Sequence, residues 1–213
     1  MWQPNGEELF ARYPIKKQGS AEIVLYEVTR HDIEWGAIRA KSHTERQLAY
    51  TPPGKYVKLE IDGALMMSST NMEFITNLPF LDHVKGDVLI GGLGLGLILE
   101  ELRGREDVRS VTVIEKNPDV IALVAPTVRL DAKIVEGDVF KWQPGEFEFF
   151  DTIYMDIWEN STKEEDPEIK RLKVRYKKWL RKGGAIGAWG SSPIKWRTPT
   201  GRTSRVGRRG VAV

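Results

Sequence analysis

Four groups of residues in this 213-residue chain have the types and spacing to do chemistry. The first is a glycine-rich turn, Gly91-Gly92-Leu93-Gly94-Leu95-Gly96, entered from the apolar run Val88-Leu89-Ile90 and leaving into Leu97-Ile98-Leu99-Glu100-Glu101-Leu102. The second is Glu115-Lys116, closing the apolar run Val111-Thr112-Val113-Ile114; the third is Gly137-Asp138-Val139, just past Lys133-Ile134-Val135. The fourth is Asp156, which ends Asp151-Thr152-Ile153-Tyr154-Met155, with Trp158 and Glu159 beside it. A strand, a glycine turn and a helix let backbone approach a ligand, and a carboxylate about 20 residues further on accepts hydrogen bonds from ribose hydroxyls. Any one of these acids is as well explained as a helix cap. Glycine or acid at four successive strand ends points to a nucleoside pocket.

Those groups need a scaffold, and the alternation of elements supplies one. Strands and helices alternate from Asp87, which implies right-handed crossovers and a parallel sheet. Asn117 caps a helix with Pro118 at its first position. A further helix is expected from Asp166-Pro167, with Ile169, Leu172, Tyr176, Trp179 and Leu180 on one face. Lys177, Lys178, Arg181 and Lys182 would close that helix, Gly183-Gly184 stop it, and Ala185–Trp189 form a fifth strand. The expected fold is α/β: a Rossmann-like, doubly wound, mostly parallel sheet with a small N-terminal antiparallel β unit. That unit holds strands at 23–28, 56–61 and 64–67, the last two joined by the hairpin pair Asp62-Gly63, and a helix over 71–81 follows. The expected divisions are 1–70, 71–190 and a basic, flexible tail at 191–213.

Bulk composition narrows the chemistry. With no cysteine, disulfides, thiolate metal sites and cysteine nucleophiles are excluded, and three scattered histidines (His31, His43, His83) form no metal-ligand spacing. No metal is expected. Neither an apolar run long enough to span a bilayer nor a signal-peptide pattern is present, so a cytoplasmic protein is expected. The net charge of +2 is uneven: residues 191–213 carry six basic side chains and no acids, leaving 26 basic against 30 acidic residues in the body. The tail reads as a solvated terminus, or as a contact for nucleic acid or an acidic partner.

The order glycine turn, Val-Ile-Glu115, Glu-Gly-Asp138-Val-Phe, Asp151-x-Ile-Tyr-Met-Asp156 resembles the class I S-adenosylmethionine-dependent transferases. The resemblance implies S-adenosylmethionine as cofactor. The glycine turn, Gly91, Gly92, Gly94 and Gly96, would pack against its methionine part, Glu115 would bind its ribose, Asp138 and Val139 its adenine, and Lys116 is a further cofactor-binding residue. Within that superfamily, residues 57–103 look most like the polyamine aminopropyltransferases, the spermidine synthase group. The likeness lies in Leu59-Glu60-Ile61-Asp62-Gly63, Met72-Glu73-Phe74, Asn77-Leu78-Pro79-Phe80 and Ile90-Gly91-Gly92. The chain departs from that group at two places. An aspartate of the group's glycine turn is Gly94 here, and its Asp-Ser-Ser-Asp-Pro signature becomes Asp156-Ile157-Trp158-Glu159-Asn160. A carboxylate at position 94 would attract the ammonium of decarboxylated S-adenosylmethionine and repel the carboxylate of the intact form by several kcal/mol at about 4 Å.

The leading expectation is therefore methyl transfer to a small or exposed acceptor, with Asp156 and Glu159 catalytic and Trp158 and Tyr50 at the substrate. Trp158 is equally well read as packing under the next helix. Aminopropyl transfer from the decarboxylated donor is the alternative. A nicotinamide oxidoreductase leaves Asp138 and Asp151…Asp156 without a role, and a non-catalytic interaction module is the fourth reading. His43 and Arg46 also have types suited to the site. A sheet that stops at five strands would expose an edge, which implies a homo-oligomer.

Overall fold

A computed structural model describes residues 5–33, 51–158 and 167–189. Tyr50, Glu159, His43, Arg46, the Asp166 cap and the basic tail at 191–213 all lie outside the described residues. In chain order the elements are α1 (Gly6–Arg12), β1 (Lys17–Gln18), β2 (Ala21–Val28), β3 (Gly54–Ile61), β4 (Ala64–Ser68), α2 (Asn71–Leu81), β5 (Gly86–Gly91) and α3 (Leu97–Leu102). There follow β6 (Val108–Glu115), α4 (Pro118–Val124), β7 (Ala132–Glu136), β8 (Phe150–Met155), α5 (Pro167–Tyr176) and β9 (Leu180–Ala188). Short 3-10 turns continue α4 (Ala125–Thr127) and α5 (Lys177–Trp179).

The larger sheet has the order β7-β6-β5-β8-β9, and all four of its pairings are parallel. The chain starts at the centre, winds outward through β6 and β7, then returns to the other side through β8 and β9. Side chains alternate faces along each strand, so this order builds two cores. Val88, Ile90, Val111, Val113 and Tyr154 share one buried cluster with α2, α3 and α4. Leu89, Ile114, Ile153 and Met155 join Ile169, Leu172 and Tyr176 of α5 in the other. Helices on both faces of a parallel sheet are the doubly wound architecture expected from the sequence.

The smaller sheet, β1-β2-β3-β4, is antiparallel throughout. Its β3–β4 turn is Asp62-Gly63 with φ of 51° and 79°, the two positive angles that a tight two-residue hairpin needs. Ala21, Ile23, Val57 and Leu59 from this sheet belong to the same buried cluster as Val88 and Ile90. Hydrogen bonds add to that packing. The Tyr13 hydroxyl donates to the Leu95 carbonyl at 2.8 Å, and the Ser20 amide and hydroxyl both donate to Asp119 Oδ2 at 2.9 and 3.0 Å. The small sheet is thereby held against the glycine turn and the start of α4.

The structure corrects the sequence reading in two places. Helix α1 and strand β1, unforeseen, extend the N-terminal unit. The helix expected to run to Lys182 stops at Tyr176, and Gly183-Gly184 lies inside β9 rather than before it. Gly183 has φ of +87°, and the register jumps there, from Phe150↔Leu180 to Thr152↔Ala185. This is a bulge at which glycine tolerates the left-handed angle. Arg181 is thus a strand residue. Together with Arg109 it binds Asp87 and Asp151, tying four strands (β5, β6, β8 and β9) at the edge away from the glycine turn. Those pairings hold the Asp87 carboxyl well below the usual carboxylate range, chiefly through the Arg109 hydrogen bond.

Candidate functional site

The carboxyl ends of β5, β6 and β8 surround one cavity of about 840 Å³, closed on its other side by β3, β4 and α2. Its geometry begins with the turn after β5. Gly92 has φ of +99°, and a Cβ there would run into the carbonyl oxygen of Asp156. Gly94 has φ of +52°, and a Cβ there would sit 2.5 Å from the sulfur of Met67. Both line the cavity; Gly91 and Gly96 do not. Gly91 is packed under Met155 and Val139, while Gly96 is the left-handed residue before α3. Of the four glycines expected at the ligand, two line the cavity and two shape the turn that carries them. Gly92→Ala combines a strained angle with a backbone clash. It is expected to cost about 3 kcal/mol or more in urea denaturation.

At the end of β6, Glu115 faces the cavity with both oxygens already oriented. Oε2 accepts from the Leu93 amide and Oε1 from the Asn117 amide, each at 2.8 Å. Each carboxylate oxygen has a second lone pair, so the group can still accept from a diol. Lys116 lines the same wall. Past β7, Asp138 Oδ1 accepts from the Phe140 amide at 2.9 Å, fixing its carboxylate at the rim. Val139 is buried beside it, its carbonyl held by the Tyr176 hydroxyl at 2.8 Å. Ile114, Val139 and Phe140 give this part of the cavity an apolar lining suited to a flat base.

Asp156 closes the site from β8. Its amide donates to the Gly91 carbonyl at 2.7 Å, which continues the β5–β8 ladder and places the side chain in the cavity. Burial raises its carboxyl to about 8, and the neighbouring carboxylate of Glu73 pushes in the same direction. Glu73, from the first turn of α2, is 7% exposed and is likewise raised by burial, to about 7. Trp158 also lines the cavity, and its indole N–H donates to Glu168 Oε2 at 3.1 Å. The ring packs as the structural reading of Trp158 expects, and α5 anchors it at the cavity wall.

Three lining residues escaped the sequence reading. Met67 occupies the space next to Gly94 and accepts the Leu95 amide at 3.2 Å on its sulfur. The space beside Gly94 is therefore filled by a neutral thioether. Glu168, in the first turn of α5, follows no spacing rule that would have distinguished it. Glu73 had a visible signal: Glu73, Asn77 and Phe80 all lie on the buried side of α2, where an unpaired acid is costly. Five carboxylates thus line the cavity (Glu73, Glu115, Asp138, Asp156, Glu168), against one basic side chain among the described lining residues, Lys116. No cluster of metal-ligating side chains occurs among the described residues, and no helix there is long and apolar enough to cross a membrane.

No family model matches the chain, and no curated protein matches it in sequence. Solved structures align with about half of the chain at low similarity. The DhpI-SAM-HEP complex is 20% identical over 54% of this chain and 52% of that one, with a TM-score of 0.44. The N-methyltransferase NodS from Bradyrhizobium japonicum WM9 is 21% identical over 55% and 65%, with a TM-score of 0.42. The plantazolicin methyltransferase BpumL in complex with SAH is 18% identical over 54% and 42%, with a TM-score of 0.39. The chain spans about half the length of the solved proteins it matches.

Proposed function

We propose that this chain is an S-adenosylmethionine-dependent methyltransferase acting on a small or exposed acceptor. The observation that carries the reading is one cavity in which Glu115, Asp138 and Asp156 meet around Gly92 and Gly94 at the carboxyl ends of parallel strands. Open parallel sheets bind ligands at that place. The residues present suit the adenosyl part of the donor. Glu115 would hold the ribose hydroxyls, Asp138 the adenine amino group, and Ile114, Val139 and Phe140 the faces of the base. Gly92 and Gly94 leave the turn without side chains where the sulfonium arm would pass, and the surrounding acids favour a cationic sulfur. When bound, the sulfonium supplies an activated methyl group, so the protein's own work is alignment and exclusion of water. Asp156, at the cavity wall beside the turn, would orient the acceptor and take its proton. Trp158 would close the acceptor side, joined by Glu159 and Tyr50, which remain proposals from sequence.

One observation favours the second reading, aminopropyl transfer from the decarboxylated donor. Lys116 is the single described basic residue in a lining with five acids, a poor environment for a donor carboxylate. Against it, the turn places no acid beside Gly94, where the thioether of Met67 sits. Calorimetry distinguishes the two. Methyl transfer predicts that the intact donor and S-adenosylhomocysteine bind with Kd in the micromolar range, the usual scale for such sites. Tight binding of the decarboxylated donor alone would overturn it. The covering of the outer sheet edges is equally open to measurement: a homo-oligomer in light scattering is the expected state, and a clean monomer at micromolar concentration would contradict it.

A further inference from the structure

Helix α2 carries a carboxylate where its packing calls for an apolar side chain. Glu73, Asn77 and Phe80 are all buried on the side turned to the sheet, and two hydrogen bonds hold the helix there. The Tyr154 hydroxyl donates to Asn77 Oδ1 at 2.7 Å, and the Trp189 indole N–H donates to Thr76 Oγ1 at 2.9 Å. Tyr154 lies on β8 two residues before Asp156, and Trp189 follows β9 with its amide donating to the Met155 carbonyl at 2.9 Å. Both anchors thus tie the helix of Glu73 to the end of the strand that carries Asp156. The only described donor to the Glu73 carboxylate is the Ser68 amide, at a long 3.5 Å. No described salt bridge reaches Glu73 or Asp156. An acid buried without a cation costs stability, and Glu73 shares its cavity with a second, half-buried acid, Asp156. The surrounding surface from Met66, Met67, Met72, Ile157, Trp158 and Trp189 is otherwise largely apolar.

We propose that Glu73 and Asp156 together form a cation subsite that takes one ammonium group of the methyl acceptor, so that the acceptor is a compact monoamine and Glu73 is a specificity-determining residue. This rests on the methyl-transfer reading above. The Glu73 carboxylate opposes ionisation of Asp156 across the cavity they share, and a monocation placed between them would relieve that repulsion. The step balances in atoms and electrons. The ammonium gives one proton to the carboxylate pair, and the freed nitrogen lone pair forms the new N–C bond. The C–S bond breaks with its electrons passing to sulfur, leaving a neutral thioether and a methylated ammonium. An acceptor that presents a carboxylate to Glu73 and Asp156 is repelled, and an alcohol leaves the pair uncompensated.

The test uses the full chain saturated with S-adenosylhomocysteine and four probes: n-butylamine, n-butanol, butyrate and 1,4-diaminobutane. Calorimetry and thermal shift are expected to show binding of n-butylamine at least tenfold tighter than n-butanol or butyrate. Glu73→Gln and, separately, Asp156→Asn should each weaken n-butylamine tenfold or more while changing S-adenosylhomocysteine affinity less than threefold. Glu73→Asp should recover part of the loss. Equal binding of the amine by wild type and Glu73→Gln overturns the proposal, as does butanol or butyrate binding as well as the amine. A diamine preferred more than tenfold over the monoamine overturns the single-ammonium assignment. If S-adenosylhomocysteine itself fails to bind, the methyl-transfer reading fails instead, and the Glu73 result is read from the probes alone.

Discussion

Replacing Glu115 with alanine is expected to lower affinity for S-adenosylhomocysteine by about 100-fold or more in calorimetry. A charged acceptor receiving two ribose hydroxyls contributes roughly 1.5–3 kcal/mol per hydrogen bond, and both would be lost together. The wild-type geometry makes this a demanding test, because Glu115 does two jobs. Its oxygens also take the amides of Leu93 and Asn117, which fixes the glycine turn on one side and the start of α4 on the other. The alanine variant therefore loses the ligand contacts and loosens the turn that would present Gly92 and Gly94. Glu115→Gln separates these effects: its carbonyl oxygen can serve one amide, but its NH₂ group cannot accept from the other. That variant should retain more stability than Glu115→Ala and still bind the ligand at least tenfold more weakly than wild type. Unchanged affinity in Glu115→Ala would remove the ribose assignment.

Glu73→Gln is expected to stabilise the protein, and increasingly so as pH rises. The folded-state carboxyl is raised to about 7, whereas the unfolded chain ionises near 4.3. Between those values the unfolded state binds fewer protons than the folded one, so wild-type stability falls as pH increases. Below the unfolded value the penalty is absent, and above about 7 it is complete. The glutamine variant carries no such penalty. Urea denaturation should show a gain near zero at pH 4, rising to about 3–4 kcal/mol at pH 8. A gain that is constant across that range would show that Glu73 is not held in a charge-hostile environment. Stability gained by removing a buried acid is the expected signature of a group kept for function rather than for folding.

The parts of this molecule legible from sequence were those where one physical requirement dominates a short stretch. Val88-Leu89-Ile90 must be a buried strand because both faces of a central parallel strand are covered, and it pairs with β6 and β8 as that burial demands. Asp62-Gly63 must turn because two consecutive positive angles suit few other pairs. The acids at the ends of β6 and β8, and the one just past β7, stood out because the runs before them are apolar.

What escaped notice depended on two requirements competing. Gly183-Gly184 reads as a helix stop by propensity, yet a bulged strand also accepts glycine, and pairing with β8 decided between them. Arg181 followed that error, since a cation after a helix is ordinary, whereas here it meets Asp87 and Asp151. Glu73 is one acid in a mixed helical pattern; its meaning appears only when β8 brings Asp156 into the same cavity. Met67 belongs to a strand edge whose contact with the glycine turn is a tertiary fact. Local pattern fixed the elements, while the charge environment of the cavity came from elements far apart in sequence.

The central claim, that Glu115 and Asp138 converge on the sugar and base of an adenosyl ligand, is tested most directly by a crystal structure with S-adenosylhomocysteine bound. The account predicts ribose hydroxyls within 3.2 Å of the Glu115 carboxylate and the adenine amino group at Asp138, with the base against Val139, distances typical of charged hydrogen bonds. A nucleoside bound away from the β5–β6 crevice, or one whose ribose turns from Glu115, would contradict it.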